Sequence, residues 1–143
     1  MKRFKFNLEK VLDLRAFREK EARIELGRAV GALTAIENRL RANAESRATA
    51  AAERFSSLSA GGLSSMFAWD GYILRLEREA ALLQEEAARA ELVVQEKRAL
   101  YIEASRELKV MEKLREKRAV EYRREMFARQ TAEMDDLWRK KSG

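Results

Sequence analysis

The chain contains no cysteine, no histidine and no proline among its 143 residues. Without cysteine there is neither a disulfide framework nor thiol chemistry. Without cysteine and histidine, the common zinc sites and the usual histidine general base are excluded. The absence of proline also removes the strongest interruption of a helix.

Long apolar runs are missing as well. The apolar clusters, such as LVV at residues 92–94, are far too short to cross a bilayer. Residues 1–15 lack the apolar core of a signal peptide. We therefore expect a soluble, cytoplasmic protein without a transmembrane segment.

What is abundant is Ala, Glu, Lys, Leu and Arg, with 38% charged and 46% hydrophobic residues. This bias is typical of long helices and coiled coils. The net charge of +6 is small because acidic residues accompany the basic ones nearly everywhere. The length predicts a single domain covering residues 1–143.

Apolar positions at alternating steps of four and three predict two coiled-coil helices. We expect helix one at about 7–56, a turn at about 57–66 around Gly61 and Gly62, and helix two at about 67–140. The first series is Leu8, Leu12, Arg15, Glu19, Ala22, Leu26, Ala29, Leu33, Ile36 and Leu40. The second is Trp69, Ile73, Leu76, Ala80, Leu83, Ala87, Ala90, Val94, Lys97, Tyr101, Ala104, Leu108 and Met111.

Each series of apolar positions forms a narrow stripe along its helix, and an isolated helix cannot bury such a stripe. Gly61 and Gly62 permit a tight reversal of the chain between the two helices. The prediction is an all-α fold, an antiparallel two-helix coiled-coil hairpin with a longer second helix. In this register Leu40 lies near Leu83 and Leu12 near Met111. The alternative is a flexible linker between helices that each pair with other chains.

The unequal helix lengths predict an unpaired end of helix two. Residues 120–141 should project beyond the end of helix one, and they still carry apolar side chains. Exposed apolar side chains on an unpaired helix usually mark a surface that binds a partner. These are Val120, Tyr122, Phe127, Met134, Leu137 and Trp138.

No catalytic constellation is present in the sequence. There is no phosphate-binding loop and no nucleophile elbow, and the carboxylates are spread over exposed helix faces. We expect no enzyme activity, no cofactor and no metal site.

Two other features leave alternatives open. One set of helix-one residues lies outside the first seam: Phe17, Ile24, Gly27 and Gly31. They form either an ordinary solvent-exposed surface or an outer helix-one stripe that another helix contacts. In the second case the protein would be a structural adaptor that self-associates through this stripe. The basic stretch 97–125 suits a nucleic-acid-binding coiled coil, but no aromatic platform accompanies it and acidic residues are as regular. An interfacial membrane helix is the weakest alternative, because the apolar stripes are narrow.

Three stretches resemble the flagellar FliJ family: RFKFNLEKVLDLR at 3–15, ASRELKVMEKLREKRAVEYRREM at 104–126 and AEMDDLWRKK at 132–141. These proteins are small components of the bacterial type III export apparatus, related to the YscO-type proteins of injectisomes. The resemblance does not separate a flagellar from an injectisome member.

The resemblance implies a two-helix coiled coil similar to the rotor γ subunit of F-type ATPases. It implies insertion into the pore of the hexameric export ATPase, promotion of ring assembly, contact with the ATPase regulator and the export-gate membrane protein, and escort of export chaperones. The protein would be cytoplasmic and peripherally associated with the export apparatus at the inner membrane.

Site residues follow from the same resemblance. Docking to the ATPase is expected of Leu8, Val11, Leu14, Arg115, Arg118, Phe127, Met134 and Trp138. Gate binding is expected of Tyr72, Leu76, Glu79 and Leu83. Glu79 is acidic where an apolar or small side chain is expected, and Leu76 and Leu83 also fall on the predicted seam.

Overall fold

The computed structural model describes residues 3–59 and 61–142. Two helices, α1 at Glu9–Ser57 and α2 at Gly62–Ser142, account for nearly all of them. They pack against each other as an all-α helical hairpin with the longer helix second, which confirms the predicted fold class. No strand is present among the described residues.

The second helix begins at Gly62, earlier than the expected start near residue 67. Gly62 has a φ of 70°, a left-handed conformation that glycine adopts without strain. The reversal is therefore completed at this residue, and Ser64 and Ser65 already lie in the first turns of α2.

Burial follows the predicted seam closely. Every position of the first predicted series, from Leu8 just before α1 to Leu40, is buried or half-buried, including the polar Arg15 and Glu19. In α2 the buried residues are Leu76, Ala80, Leu83 and Val94, all of them on the predicted second series. The spacing of 3.5 residues thus identifies the surfaces that the helices bury.

Contacts divide the chain into two compact units. Unit one comprises Met1–Ala22 and Tyr101–Gly143, and unit two comprises Arg23–Leu100. The division into two units does not test the predicted single domain, which remains a prediction.

Cross-helix ion pairs run in antiparallel order within each unit. In unit one Arg15 pairs with Glu107, and Arg115 lies 3.4 Å from Glu9. In unit two Arg39 lies 3.9 Å from Glu86, and Arg54 lies 2.5 Å from Asp70. Partners further along α1 meet positions earlier in α2 in both units, as the predicted register requires.

The buried surface of α1 in unit two extends beyond Leu40, where the apolar pattern of the sequence fades. Asn43 and Ala50 are 5% and 1% exposed, and Arg47 is half-buried between them. The Asn43 side chain donates a hydrogen bond of 2.9 Å to the Leu76 carbonyl and accepts one of 2.9 Å from Arg47. A polar side chain therefore occupies a core position with both its donor and its acceptor in use.

The irregular N-terminal segment lengthens the packed part of unit one. Phe6 is only 7% exposed, and the Phe4 ring lies 5.6 Å from the ring of Tyr122. Arg118 places its guanidinium 5.8 Å from the Phe6 ring centre and donates a hydrogen bond of 2.6 Å to Asn7.

This packing corrects the predicted start of the unpaired end of α2. Val120 and Tyr122 were expected to project beyond helix one, but both are half-buried. The reason is that residues 3–6 continue along α2 past the point where α1 begins. Met126 is half-buried as well, and the continuously exposed end starts at Phe127.

Candidate partner-binding surfaces

The C-terminal part of α2 exposes large apolar side chains. From residue 127 to residue 142 every position is exposed. Four side chains make up what we call the terminal stripe: Phe127 at 72%, Met134 at 60%, Leu137 at 59% and Trp138 at 71% exposure. Isolated exposed apolar residues are common, but four on one helix face form a contiguous patch.

The terminal stripe lies on a different face of α2 from the seam. From Arg118 and Tyr122, steps of three and four residues lead to a strongly polar set: Glu125, Arg129, Ala132, Asp136 and Arg139. At 3.6 residues per turn, these positions lie roughly half a turn away from Phe127 and Met134. The surface that pairs with the N-terminal residues therefore ends, and a separate apolar face begins.

One polar group within the terminal stripe, the hydroxyl of Thr131, is turned into the helix. A shallow depression is lined by three apolar and three polar residues: Phe127, Met134, Leu137, Gln130, Thr131 and Glu133. The Thr131 hydroxyl donates a hydrogen bond of 2.9 Å to the Phe127 carbonyl, so the methyl group of Thr131 adds to an apolar floor. The depression suits an apolar side chain of a partner.

The helix-one residues assigned to ATPase docking differ in exposure. Leu8 is half-buried on the seam, whereas Val11 is 36% and Leu14 47% exposed. Within unit one, Val11 and Leu14 are therefore the two that a partner can contact directly. Leu8 serves the contact between the helices.

The two arginines assigned to docking already have contacts inside unit one. Arg115 forms a half-exposed ion pair with Glu9. Arg118 holds Asn7 and covers Phe6, as described above. Arg118 therefore positions the N-terminal segment, and Arg115 is the more accessible of the two cations.

The residues assigned to gate binding fall on two faces. Leu76 and Leu83 are 9% and 2% exposed and belong to the core of unit two, while Tyr72 is 38% exposed and Glu79 is exposed. The Tyr72 ring meets Trp69 edge-on at 6.0 Å and lies 5.8 Å from the Arg75 guanidinium. Only Tyr72 and Glu79 present side chains to a partner, and the two leucines hold the helix that carries them.

The residues of the outer helix-one stripe are exposed in their respective units. Phe17 is 57% exposed in unit one. In unit two Ile24 is 45% exposed, and a Cβ atom added to Gly27 or Gly31 would meet nothing within 4 Å. The glycines are open surface, and the role of these residues stays a prediction.

One apolar surface was missed by the sequence analysis. Residues in and beside the predicted turn at 57–66 carry large exposed side chains: Phe55 at 77%, Leu58 at 48%, Leu63 at 68% and Phe67 at 69%. Their surroundings of Ser, Gly and Ala gave no helical periodicity. The signal that was available is the absence of any charged residue from 55 to 69.

Residues 3–59 and 61–142 hold no group of three or more acidic residues placed to bind a metal ion. Neither helix in this part of the chain has a stretch sufficiently long and apolar to span a bilayer.

Comparison with curated proteins and with solved structures yields no match. The family described as flagellar FliJ protein matches residues 4–141, which is nearly the whole chain. The match includes the N-terminal segment held by Arg118, both helices and the terminal stripe. The chain belongs to the flagellar FliJ protein family, whose members are non-enzymatic components of the flagellar protein export apparatus.

Proposed function

We propose that unit one docks the protein to the hexameric export ATPase, within the pore of its ring, and thereby promotes ring assembly and ATP hydrolysis. The observation that supports this most strongly is the terminal stripe, because it exposes four large apolar side chains on a stretch of α2 without a partner helix among the described residues. The Thr131 hydroxyl beside it is bonded to the Phe127 carbonyl, and the face of the stripe is distinct from the intramolecular seam.

Burial of the terminal stripe would make a large apolar contribution to the free energy of docking. Complete burial of one large apolar side chain contributes about 1.5–3 kcal/mol. Burial of Phe127, Met134, Leu137 and Trp138 together contributes on the order of 8 kcal/mol, from which the entropic cost of association is subtracted. Val11 and Leu14 add exposed apolar surface in the same unit.

Charged residues contribute orientation in this proposal. The half-exposed Arg115–Glu9 pair offers one side chain of each sign to polar groups of the ATPase. Arg118 acts by holding the N-terminal segment against α2, with Asn7 as its hydrogen-bond partner. Rim charges of this kind chiefly affect the association rate and its salt dependence.

Binding of the export gate, the ATPase regulator and empty export chaperones belongs to the same proposal. For the gate, Tyr72 and Glu79 are the accessible members of the assigned set. Contact with the gate would place the protein peripherally at the inner membrane. The proposal treats these contacts as separate from ATPase docking, because Tyr72 and Glu79 belong to unit two.

The experiment is to add the purified protein to the export ATPase of the same organism and measure ATP hydrolysis and ring formation. The proposal predicts stimulation that saturates with added protein. Absence of any effect at saturating concentration contradicts it. A pull-down with the ATPase and its regulator provides the accompanying binding measurement.

A further inference from the structure

The turn between the helices carries an exposed apolar surface that ATPase docking does not use. Residues 55–69 form the longest uncharged stretch of the chain. Phe55, Leu58, Leu63 and Phe67, which we call the turn patch, are 48–77% exposed. Large aromatic and aliphatic side chains thus face solvent where the neighbouring residues are Ser, Gly and Ala.

Polar groups at the end of α1 are satisfied within the chain. The Ser57 hydroxyl donates to the Arg54 carbonyl at 2.8 Å, and the Ser59 hydroxyl donates to the Ser56 carbonyl at 2.9 Å. The Gly61 amide donates to the Ser57 carbonyl at 3.0 Å. The last carbonyl groups of a helix ordinarily rely on water or a cap. Here three of them, those of Arg54, Ser56 and Ser57, have partners within the chain, which lowers the cost of moving this end of α1 away from water.

The charged residues stop at the same level on both helices. Arg54 is the last charged residue of α1 and Asp70 the first of α2, and their side chains are paired at 2.5 Å. Trp69 adjoins this pair and Tyr72 follows it, with the two rings 6.0 Å apart. Tryptophan and tyrosine beside a charge boundary are typical of side chains at a membrane–water interface.

We propose that the turn patch inserts into the interfacial region of a lipid bilayer. Residues 62–69 of α2 span roughly 12 Å along the helix axis, which is close to the insertion of about 5–10 Å usual for interfacial segments. Since the patch carries no charge, its binding is apolar and does not require anionic lipid. The paired Arg54 and Asp70 remain at the water side.

This inference does not rest on ATPase docking, since the turn patch belongs to unit two. Two other occupants, a second copy of the chain and an apolar groove of a protein, fit an exposed apolar surface in general. The bilayer is favoured because the charge boundary is level across both helices and because three carbonyl groups at the end of α1 have hydrogen-bond partners within the chain.

The two tryptophans of the chain provide the test, because Trp69 borders the turn patch and Trp138 lies on the terminal stripe. Full-length Trp138→Phe reports on Trp69, and Trp69→Phe reports on Trp138 as the matched control. With vesicles of neutral phosphatidylcholine, Trp69 fluorescence should shift to the blue and be quenched by brominated lipid, at low and at high salt. Trp138 should show neither change.

A second pair of variants tests the patch itself. Phe55→Ser combined with Phe67→Ser should lower vesicle partitioning by at least about tenfold, given the transfer free energy of two aromatic side chains. Leu82→Ser combined with Leu92→Ser is the control, because these residues are 62% and 65% exposed elsewhere in unit two. Helicity should be unchanged in both.

Four outcomes would overturn the inference. The first two are no change in Trp69 fluorescence with vesicles, and an equal change for Trp69 and Trp138. The third is vesicle partitioning that requires anionic lipid and disappears at high salt. The fourth is that the protein self-associates without binding vesicles and that the patch variant abolishes this self-association. Stimulation of the ATPase in the absence of membranes should be the same for the patch variant as for the unaltered protein. The failure of one proposal is thereby distinguished from the failure of the other.

Discussion

The Asn43 amide nitrogen lies 2.9 Å from the Leu76 carbonyl oxygen and donates a hydrogen bond to it across the helix pair. This contact joins a polar residue of α1 to one of the most buried positions of α2. A buried Asn at a coiled-coil seam typically selects one register at some cost in stability. Asn43 thus helps to define which residues of the two helices meet.

Replacing Asn43 with Ala should lower the free energy of unfolding by about 1–3 kcal/mol, because the Arg47 contact and the Leu76 hydrogen bond are lost from a buried site. Denaturant titration followed by circular dichroism measures this change. Asn38→Ala is the control, since Asn38 is exposed on the same helix and should change stability by less than about 0.5 kcal/mol. Equal effects of both substitutions would contradict the assigned role.

Leu82 and Leu83 are adjacent, but their exposures are 62% and 2%. Leu83→Ala should therefore cost about 2–5 kcal/mol, whereas Leu82→Ala should change stability by less than about 0.5 kcal/mol. Thermal unfolding of the two variants under identical conditions provides the comparison. A larger loss for Leu82→Ala would place the seam on the wrong face of α2.

The glycines of the turn and of the helices should respond to alanine with opposite signs. Gly62→Ala places a side chain at a φ of 70° and should destabilise the protein by about 1–2 kcal/mol. Gly71→Ala is the control, because its new Cβ atom meets nothing within 4 Å and alanine favours the helix by about 1 kcal/mol. Destabilisation by both, measured by denaturant titration, would show that the positive φ is not the cause.

Much of the fold is predictable from the spacing of apolar residues. The spacing of about 3.5 residues is the one expected of paired helices. It identifies the seam from Leu12 to Leu40 and the buried positions from Leu76 to Val94. The extension of the seam through Asn43 was not predicted, because a polar side chain contributes nothing to an apolar pattern. Its burial depends on a hydrogen bond to a main-chain group of the other helix.

The contacts of the irregular N-terminal segment could not be predicted from the sequence for a related reason. Phe4 and Phe6 lie ahead of α1, where no periodicity assigns them a face, so their packing on Tyr122 and Arg118 was not expected. The gate-binding set shows the converse. The family resemblance supplied four residues for gate binding, spaced by three and four positions. Two of them, Leu76 and Leu83, lie on the buried seam, and the other two, Tyr72 and Glu79, lie on the exposed surface beside it.

The central claim is that the terminal stripe binds the export ATPase, and the affinity of a stripe variant tests it most directly. Phe127→Ala combined with Trp138→Ala should weaken binding in isothermal titration calorimetry by about 2 kcal/mol or more, roughly thirtyfold. Melting temperature and helicity should be unchanged, because both residues are more than 70% exposed. The control is Leu92→Ala combined with Val110→Ala, two substitutions at 65% exposed positions outside the stripe. Unaltered affinity of the stripe variant, or a large fall in its melting temperature, would contradict the account.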